Sequence, residues 1–174
     1  WNNNDFWMKK INIVIYGATG TIGSSVLSVI NQKNKYLNIE GITCRNNLNK
    51  LKIIAEKYNV RKLGYIEKLT SKKKINTSKF ELYKDLSEFD KIVSSKTDII
   101  IFAITGLAAL ELLLKLIKKG KKIGLANKEC IISFGQKINS QAKKYSSQII
   151  PLDSEHNAVY HLLNANFSNL KSIK

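Results

Sequence analysis

The sequence predicts an α/β fold: a Rossmann-like doubly wound parallel sheet with helices on both faces. Three observations predict it. The run INIVIY at Ile11–Tyr16 is short, β-branched and apolar on both faces, as a central parallel strand must be. A glycine-rich turn follows at once and leads into apolar residues at helical spacing. A second strand-like and helix-like pair is complete by Tyr58, so the opening reads β-α-β-α.

Taken in order, Gly17-Ala18-Thr19-Gly20-Thr21-Ile22-Gly23 breaks the first strand, and residues 24–30 carry Val26, Leu27, Val29 and Ile30 at helical spacing. Residues 38–44 read as a second strand and residues 48–58 as a helix with Leu51, Ile54 and Ala55 on one face. The stretch 60–84 is less legible, with weak strand signals at 63–66 and 80–83 on either side of a lysine-rich turn. A short helix is expected at 86–93, a strand at 97–104, and a helix at 107–119 that stops on Gly120 as its C-cap. Another strand (121–125), another helix (129–145) and a last strand (148–152) follow; Pro151 sits near the end of that strand, where a missing ladder donor is tolerated. The expected organisation is an upstream or disordered extension at 1–8, a nucleotide-binding domain at 9–150, and the start of a further, incomplete domain at 151–174.

A formal net charge of +16 invites a nucleic-acid reading. The lysines are scattered, however, and only Lys72-Lys73-Lys74 and the cluster at 118–122 form short runs. No basic patch with interleaved aromatics and no nucleic-acid motif appears, so solvated surface lysine is the better reading and no nucleic-acid partner is expected. Such a surface still suits a phosphorylated substrate and cofactor. No apolar run approaches the roughly 20 residues that cross a bilayer, so no membrane partner is expected either. Cys44 and Cys130 have neither metal-ligand nor CxxC spacing, which favours a reducing compartment.

The glycine turn joins a strand to a helix inside a βαβ unit, the context in which such glycines let backbone approach a dinucleotide's phosphates at a helix N-terminus. A purely structural turn is the bland alternative. The second strand discriminates between cofactors. NAD-binding domains place an Asp or Glu at its end for the ribose 2′-OH; here Thr43-Cys44-Arg45-Asn46 offers no carboxylate. Arg45 has the forked geometry that pairs with a 2′-phosphate, so NADPH is expected over NADH.

Leu125-Ala126-Asn127-Lys128-Glu129 lies at a strand end, where open α/β sheets collect ligands, so Asn127 and Lys128 are expected to face the cleft. In Pro151-Leu152-Asp153-Ser154-Glu155-His156, extended backbone would put Asp153 and Glu155 on one face, a pair suited to a hard cation such as Mg²⁺ or Mn²⁺. Spacing alone allows equally that Asp153 or Ser154 is a helix N-cap, or that the carboxylates are merely solvated.

GATGTIG, LANKE and PLDSEHNA, in this order and at these distances, resemble the 1-deoxy-D-xylulose 5-phosphate reductoisomerases of the non-mevalonate isoprenoid pathway, over nearly the whole stretch from Ile11 to about Leu163. The resemblance implies an NADPH- and metal-dependent rearrangement and reduction of 1-deoxy-D-xylulose 5-phosphate, a small phosphorylated sugar, to 2-C-methyl-D-erythritol 4-phosphate. It implies that Thr19, Gly20, Thr21 and Ile22 bind the NADPH phosphates, that Arg45 and Asn46 bind its adenosine end, and that Gly106, Asn127 and Glu129 complete the cleft. Lys128, Ser154 and Glu155 would touch the substrate, with Lys128 and Glu155 catalytic; Asp153 and Glu155 would hold the metal. His156 and His161 are assigned no chemistry. The family's third metal carboxylate, most of its phosphate-binding residues and a mobile lid lie further along than Lys174, so these residues alone are not expected to catalyse. A homodimer at full length, in a bacterial cytoplasm or a plastid of a eukaryote, is the expected setting. Two departures stand out: Cys44 replaces a small residue before the basic position, and Ala109 replaces a frequent second glycine after Gly106.

Other readings make different demands. An extended short-chain dehydrogenase or epimerase needs a Tyr-x-x-x-Lys pair on a later helix, and the only match, Tyr58 with Lys62, comes too early. A non-catalytic nucleotide-binding module would share the glycine turn alone.

Overall fold

β1 (Ile11–Tyr16) lies in the middle of the sheet because its last four residues are buried on both faces, a state that only a strand covered from both sides sustains. The structure, a computed structural model, describes residues 9–32, 35–66, 78–153 and 157. β2 (Leu37–Thr43) and β5 (Ile99–Phe102) flank β1 in parallel. Outward from β2 come β3 (Lys62–Gly64) and β4 (Glu81–Tyr83); outward from β5 come β6 (Lys122–Leu125) and β7 (Gln148–Pro151). The seven-stranded order is β4-β3-β2-β1-β5-β6-β7. The chain winds one way from β1, returns to the centre and winds the other way, so a crevice opens at the carboxyl ends of β1 and β5.

Alternation along β1 divides the core. Ile13 and Ile15 point to the face covered by α1 (Thr21–Gln32) and α2 (Leu48–Tyr58), where Leu27, Ile30, Leu51 and Ala55 pack. Val14 and Tyr16 point to the other face, covered by a 3₁₀ segment (Leu86–Ile92), α3 (Leu110–Ile117) and α4 (Lys128–Lys144). There the Tyr16 hydroxyl donates to the Phe89 carbonyl at 2.8 Å, and burial, aided by Asp90 and Glu40, pushes its pKa well above the ordinary range.

The elements differ from the sequence expectation at their ends. α1 starts at Thr21, three residues early, because the Gly20 carbonyl accepts from both the Ser24 amide (2.9 Å) and the Ser24 hydroxyl (2.8 Å). The strand expected at 97–104 is trimmed to β5. Before it, the Thr97 hydroxyl donates to Glu40; after it, residues 103–106 leave the sheet and form a wall of the crevice. The short helix at 86–93 is 3₁₀, capped by Asp85 through Ser87 N–H at 2.7 Å. The helix expected from Leu107 likewise opens as a 3₁₀ turn, Leu107–Ala109. α4 kinks at Phe134 (φ −136°, ψ 21°), between Ser133 and Gly135, residues of the type that loosen a helix ladder. β7 keeps Pro151 in the sheet, one residue past the domain boundary read from sequence.

Candidate functional site

The crevice is a cleft of about 600 Å³ whose walls follow four strands in turn: Gly17 and residues 19–22 after β1, Cys44 and Arg45 after β2, residues 103–109 after β5, and Ala126 after β6. Its floor is apolar, with Ile66, Leu86, Phe89 and Ile104 contributing, and among the described residues no Asp or Glu lines it.

The glycine turn is pinned to β2, where the Gly17 amide donates to the Thr43 hydroxyl at 3.1 Å and the Ala18 amide to the Thr43 carbonyl at 2.8 Å. Within the turn the three glycines do different work. Gly17 has φ +85°, and a Cβ there would lie 2.5 Å from the Ala103 carbonyl oxygen. A Cβ on Gly23 would lie 2.4 Å from the Gly17 carbonyl oxygen and 2.6 Å from Ala18 Cα. Both are glycines because the protein's own backbone fills the space. Gly20 is unlike them: its φ is ordinary and a Cβ would meet only the Gly17 carbonyl oxygen, at 3.4 Å. It faces open cleft. The fold itself therefore does not need a glycine at position 20; a ligand whose approach must be close would. Just beyond it, Thr21 and Ile22 form the first turn of α1, where amide groups have no intrahelical partner and the helix dipole is positive, and both line the cleft.

Arg45 is exposed, lines the cleft, and makes no ion pair among the described residues; its own carbonyl accepts from the Ile66 amide at 2.9 Å, which fixes the backbone. Asn46 beside it is exposed. Cys44 also reaches the cleft, but burial pushes its thiol up to about 11, and Cys130 is raised in the same way; both are free and protonated, space-filling rather than nucleophilic.

Asn127 corrects one expectation. It does not face the cleft. The side chain is fully buried beneath it and its amide is committed: Nδ2 donates to the Ile104 carbonyl (2.8 Å) and the Gly106 carbonyl (3.0 Å), while Oδ1 accepts from the Cys130 amide (2.8 Å) as the N-cap of α4. Asn127 thus ties the α4 start to the wall after β5 and holds Gly106 at φ +85°. Ala109, the departure noted in the sequence, is buried in that wall, so its methyl narrows the cleft. Lys128 is exposed and Glu129 half-buried in the first turn of α4.

The carboxylate motif begins just past the last strand. The strand ends at Pro151, and the Asp153 carbonyl accepts from the Asn157 amide at 2.9 Å, an i to i+4 bond of helical type. Ser154, Glu155, His156 and His161 lie outside the described residues. Asp153 is half-buried and presents the oxygen chemistry a hard cation takes. Among the described residues no three His, Cys, Asp or Glu side chains cluster as a metal site.

Sequence reasoning missed Thr43, whose hydroxyl anchors the turn, Thr105 in the cleft wall, and Lys50, whose Nζ donates to the Thr19 carbonyl at 2.9 Å. Thr43 and Lys50 carry no local signal, since each acts across a tertiary contact. The dehydrogenase alternative loses its pair: the Tyr58 hydroxyl donates to the Leu27 carbonyl (3.1 Å), and Lys62 is ion-paired with Glu40 (3.0 Å), both away from the cleft.

Four likenesses bear on this geometry. Residues 13–135 match the family model of 1-deoxy-D-xylulose 5-phosphate reductoisomerase. A protein of that description from Clostridium botulinum (strain Eklund 17B / Type B) is 35% identical over 165 residues, 91% of this chain and 42% of the relative. Among solved structures, a reductoisomerase from Zymomonas mobilis in complex with NADPH superposes with a TM-score of 0.79 at 25% identity, covering 88% of this chain and 41% of that one. A second, in complex with NADPH, fosmidomycin and magnesium, gives 0.78 at 29% identity over 90% of this chain and 40% of that one. The chain thus spans about two fifths of the length of the relatives it matches. No helix among the described residues is long and apolar enough to cross a membrane.

Proposed function

The chain belongs to the 1-deoxy-D-xylulose 5-phosphate reductoisomerase family, and from that premise we propose that its cleft binds NADPH for the whole protein's conversion of 1-deoxy-D-xylulose 5-phosphate to 2-C-methyl-D-erythritol 4-phosphate. The observation that carries the reading is the open space at Gly20 between two glycines that the backbone itself demands.

The cofactor supplies hydride, and a divalent cation, Mg²⁺ or Mn²⁺, supplies Lewis acidity and a template for the substrate oxygens. The chain's own residues bind and orient. Backbone amides at Thr21 and Ile22, with Thr19 and Gly20 leaving room, meet the cofactor's phosphates at the α1 dipole. Arg45 and Asn46 take the adenosine end, and Arg45 supplies the charge that tells a 2′-phosphate from a hydroxyl. Gly106, held open by Asn127, lines the same cleft, and Glu129 is assigned to the cofactor from the first turn of α4, outside the lining. Lys128 attracts and orients the phosphorylated sugar together with Ser154 and Glu155. Asp153 and Glu155 are the carboxylates offered to the metal, and Glu155 serves the substrate as well. A homodimer at full length and a reducing, bacterial cytoplasmic setting, which two free buried thiols suit, complete the proposal.

Titration of the chain with NADPH and NADH, followed by nicotinamide fluorescence, tests it. NADPH binds more tightly, and Arg45→Ala erodes the preference by about 1–3 kcal/mol, the scale of hydrogen bonds to charged groups. Equal affinities for the two cofactors in the unsubstituted chain would overturn the reading.

A further inference from the structure

A second cation reaches the cleft's border from the β2 side, and the assignments above leave it unused. Lys50 lies in the first turn of α2, where its amide donates to the Asn47 side chain at 3.1 Å; this N-cap fixes the helix start just after Arg45 and Asn46. Its side chain crosses to the glycine turn, where Nζ donates to the Thr19 carbonyl at 2.9 Å across 31 positions of sequence. Thr19 and Arg45 both line the cleft, so the ammonium sits on the border between the wall after β1 and the wall after β2.

The electrostatics are one-sided. Among the described residues neither Lys50 nor Arg45 makes an ion pair and no acid lines the cleft wall. The neutral Thr19 carbonyl takes one of the three N–H donors of an ammonium and leaves two for a ligand. Two exposed cations gathered beside one loop without a counter-ion are best satisfied by a multiply charged anion. The diphosphate of a dinucleotide has its own partner in the α1 amides. Lys50 comes instead from the helix following β2, the strand whose end reads the ribose 2′ position in this fold.

We propose that Lys50 is a second specificity-determining residue, acting with Arg45 on the 2′-phosphate; this rests on the NADPH reading of the cleft. A merely structural Lys50 would pin the turn through Thr19 and affect every dinucleotide alike. The two roles separate in a comparison of Lys50→Met, which keeps the aliphatic stem, with Lys50→Arg, which keeps the charge. For the chain titrated with NADPH and with NADH, Lys50→Met weakens NADPH about tenfold, the scale of one charge-assisted hydrogen bond, and leaves NADH within about twofold. Lys50→Arg keeps the NADPH preference. Circular dichroism of both variants stays native because the side chain is exposed. Equal loss for both cofactors, or no loss for NADPH, overturns the proposal while Arg45→Ala still tests the cleft on its own. An unsubstituted chain that binds neither cofactor removes both readings together.

Discussion

Replacing glycines one at a time in the turn separates what the fold needs from what a ligand needs. At Gly23 a single added methyl would sit 2.4 Å from the Gly17 carbonyl oxygen and 2.6 Å from Ala18 Cα, both backbone atoms with no side chain to swing away. Relief requires α1 to move off β1. Overpacking a tight site costs about 1–3 kcal/mol, and the upper end applies where backbone must shift, so Gly23→Ala is expected to lose about 3 kcal/mol. In a domain of this size that is a fall in Tm of roughly 6–12 °C. At Gly20 the only neighbour of an added Cβ is 3.4 Å away and φ is ordinary, so Gly20→Val costs about 1 kcal/mol, the penalty for a β-branched residue before a helix start. Its effect falls on the ligand: the branched side chain occupies the space where phosphate approaches, and NADPH affinity drops at least about tenfold, or 1.4 kcal/mol. Thermal melts by circular dichroism and fluorescence titrations on the same preparations give both numbers. Normal NADPH binding by Gly20→Val, or a Tm loss as large as that of Gly23→Ala, would refute the division of labour.

Two further substitutions probe the scaffold. Asn127→Ala removes an N-cap worth about 1 kcal/mol and leaves two carbonyls without their side-chain donor at about 1–3 kcal/mol, so stability falls by about 2–4 kcal/mol and NADPH affinity falls with it as Gly106 loosens; native-like binding in a melted-down variant would show that Gly106 needs no such support. Burial works to raise the Glu40 carboxyl, but hydrogen bonds from Ser94, Thr97 and Lys62 hold it below its ordinary 4.5. Its contribution is therefore fully present above that value and is lost as pH falls through the lower, folded pKa. Glu40→Gln should be less stable than the parent by about 1–3 kcal/mol at pH 7 and converge with it as pH falls through the lowered, folded pKa, read from urea melts over the acid range; a constant difference at every pH would exclude the charge as the cause.

How much was legible from the chain alone depends on the range of the interaction. The doubly wound fold and the strand–turn–helix around Gly20 were readable because burial on two faces leaves a local apolar signature, and because the absence of an acidic residue after Thr43 is itself local. The 3₁₀ character of 86–92 and the shortened β5 were not, since each follows from where capping and cross-chain hydrogen bonds, such as Thr97 to Glu40, draw the backbone away from regular geometry.

The division is sharpest at the site. By itself, the sequence determined that a glycine turn opens the first helix, that Arg45 replaces an acid, and that the chain bears the LANKE and DSEH motifs. Only the tertiary structure decided which glycines answer to the backbone and which to a ligand, that Asn127 works from below the cleft, and that Lys50 reaches Thr19. The physical reason is that pattern encodes which residue types a backbone segment can hold, whereas hydrogen-bond partners and open volume arise only when segments distant in sequence are packed against one another.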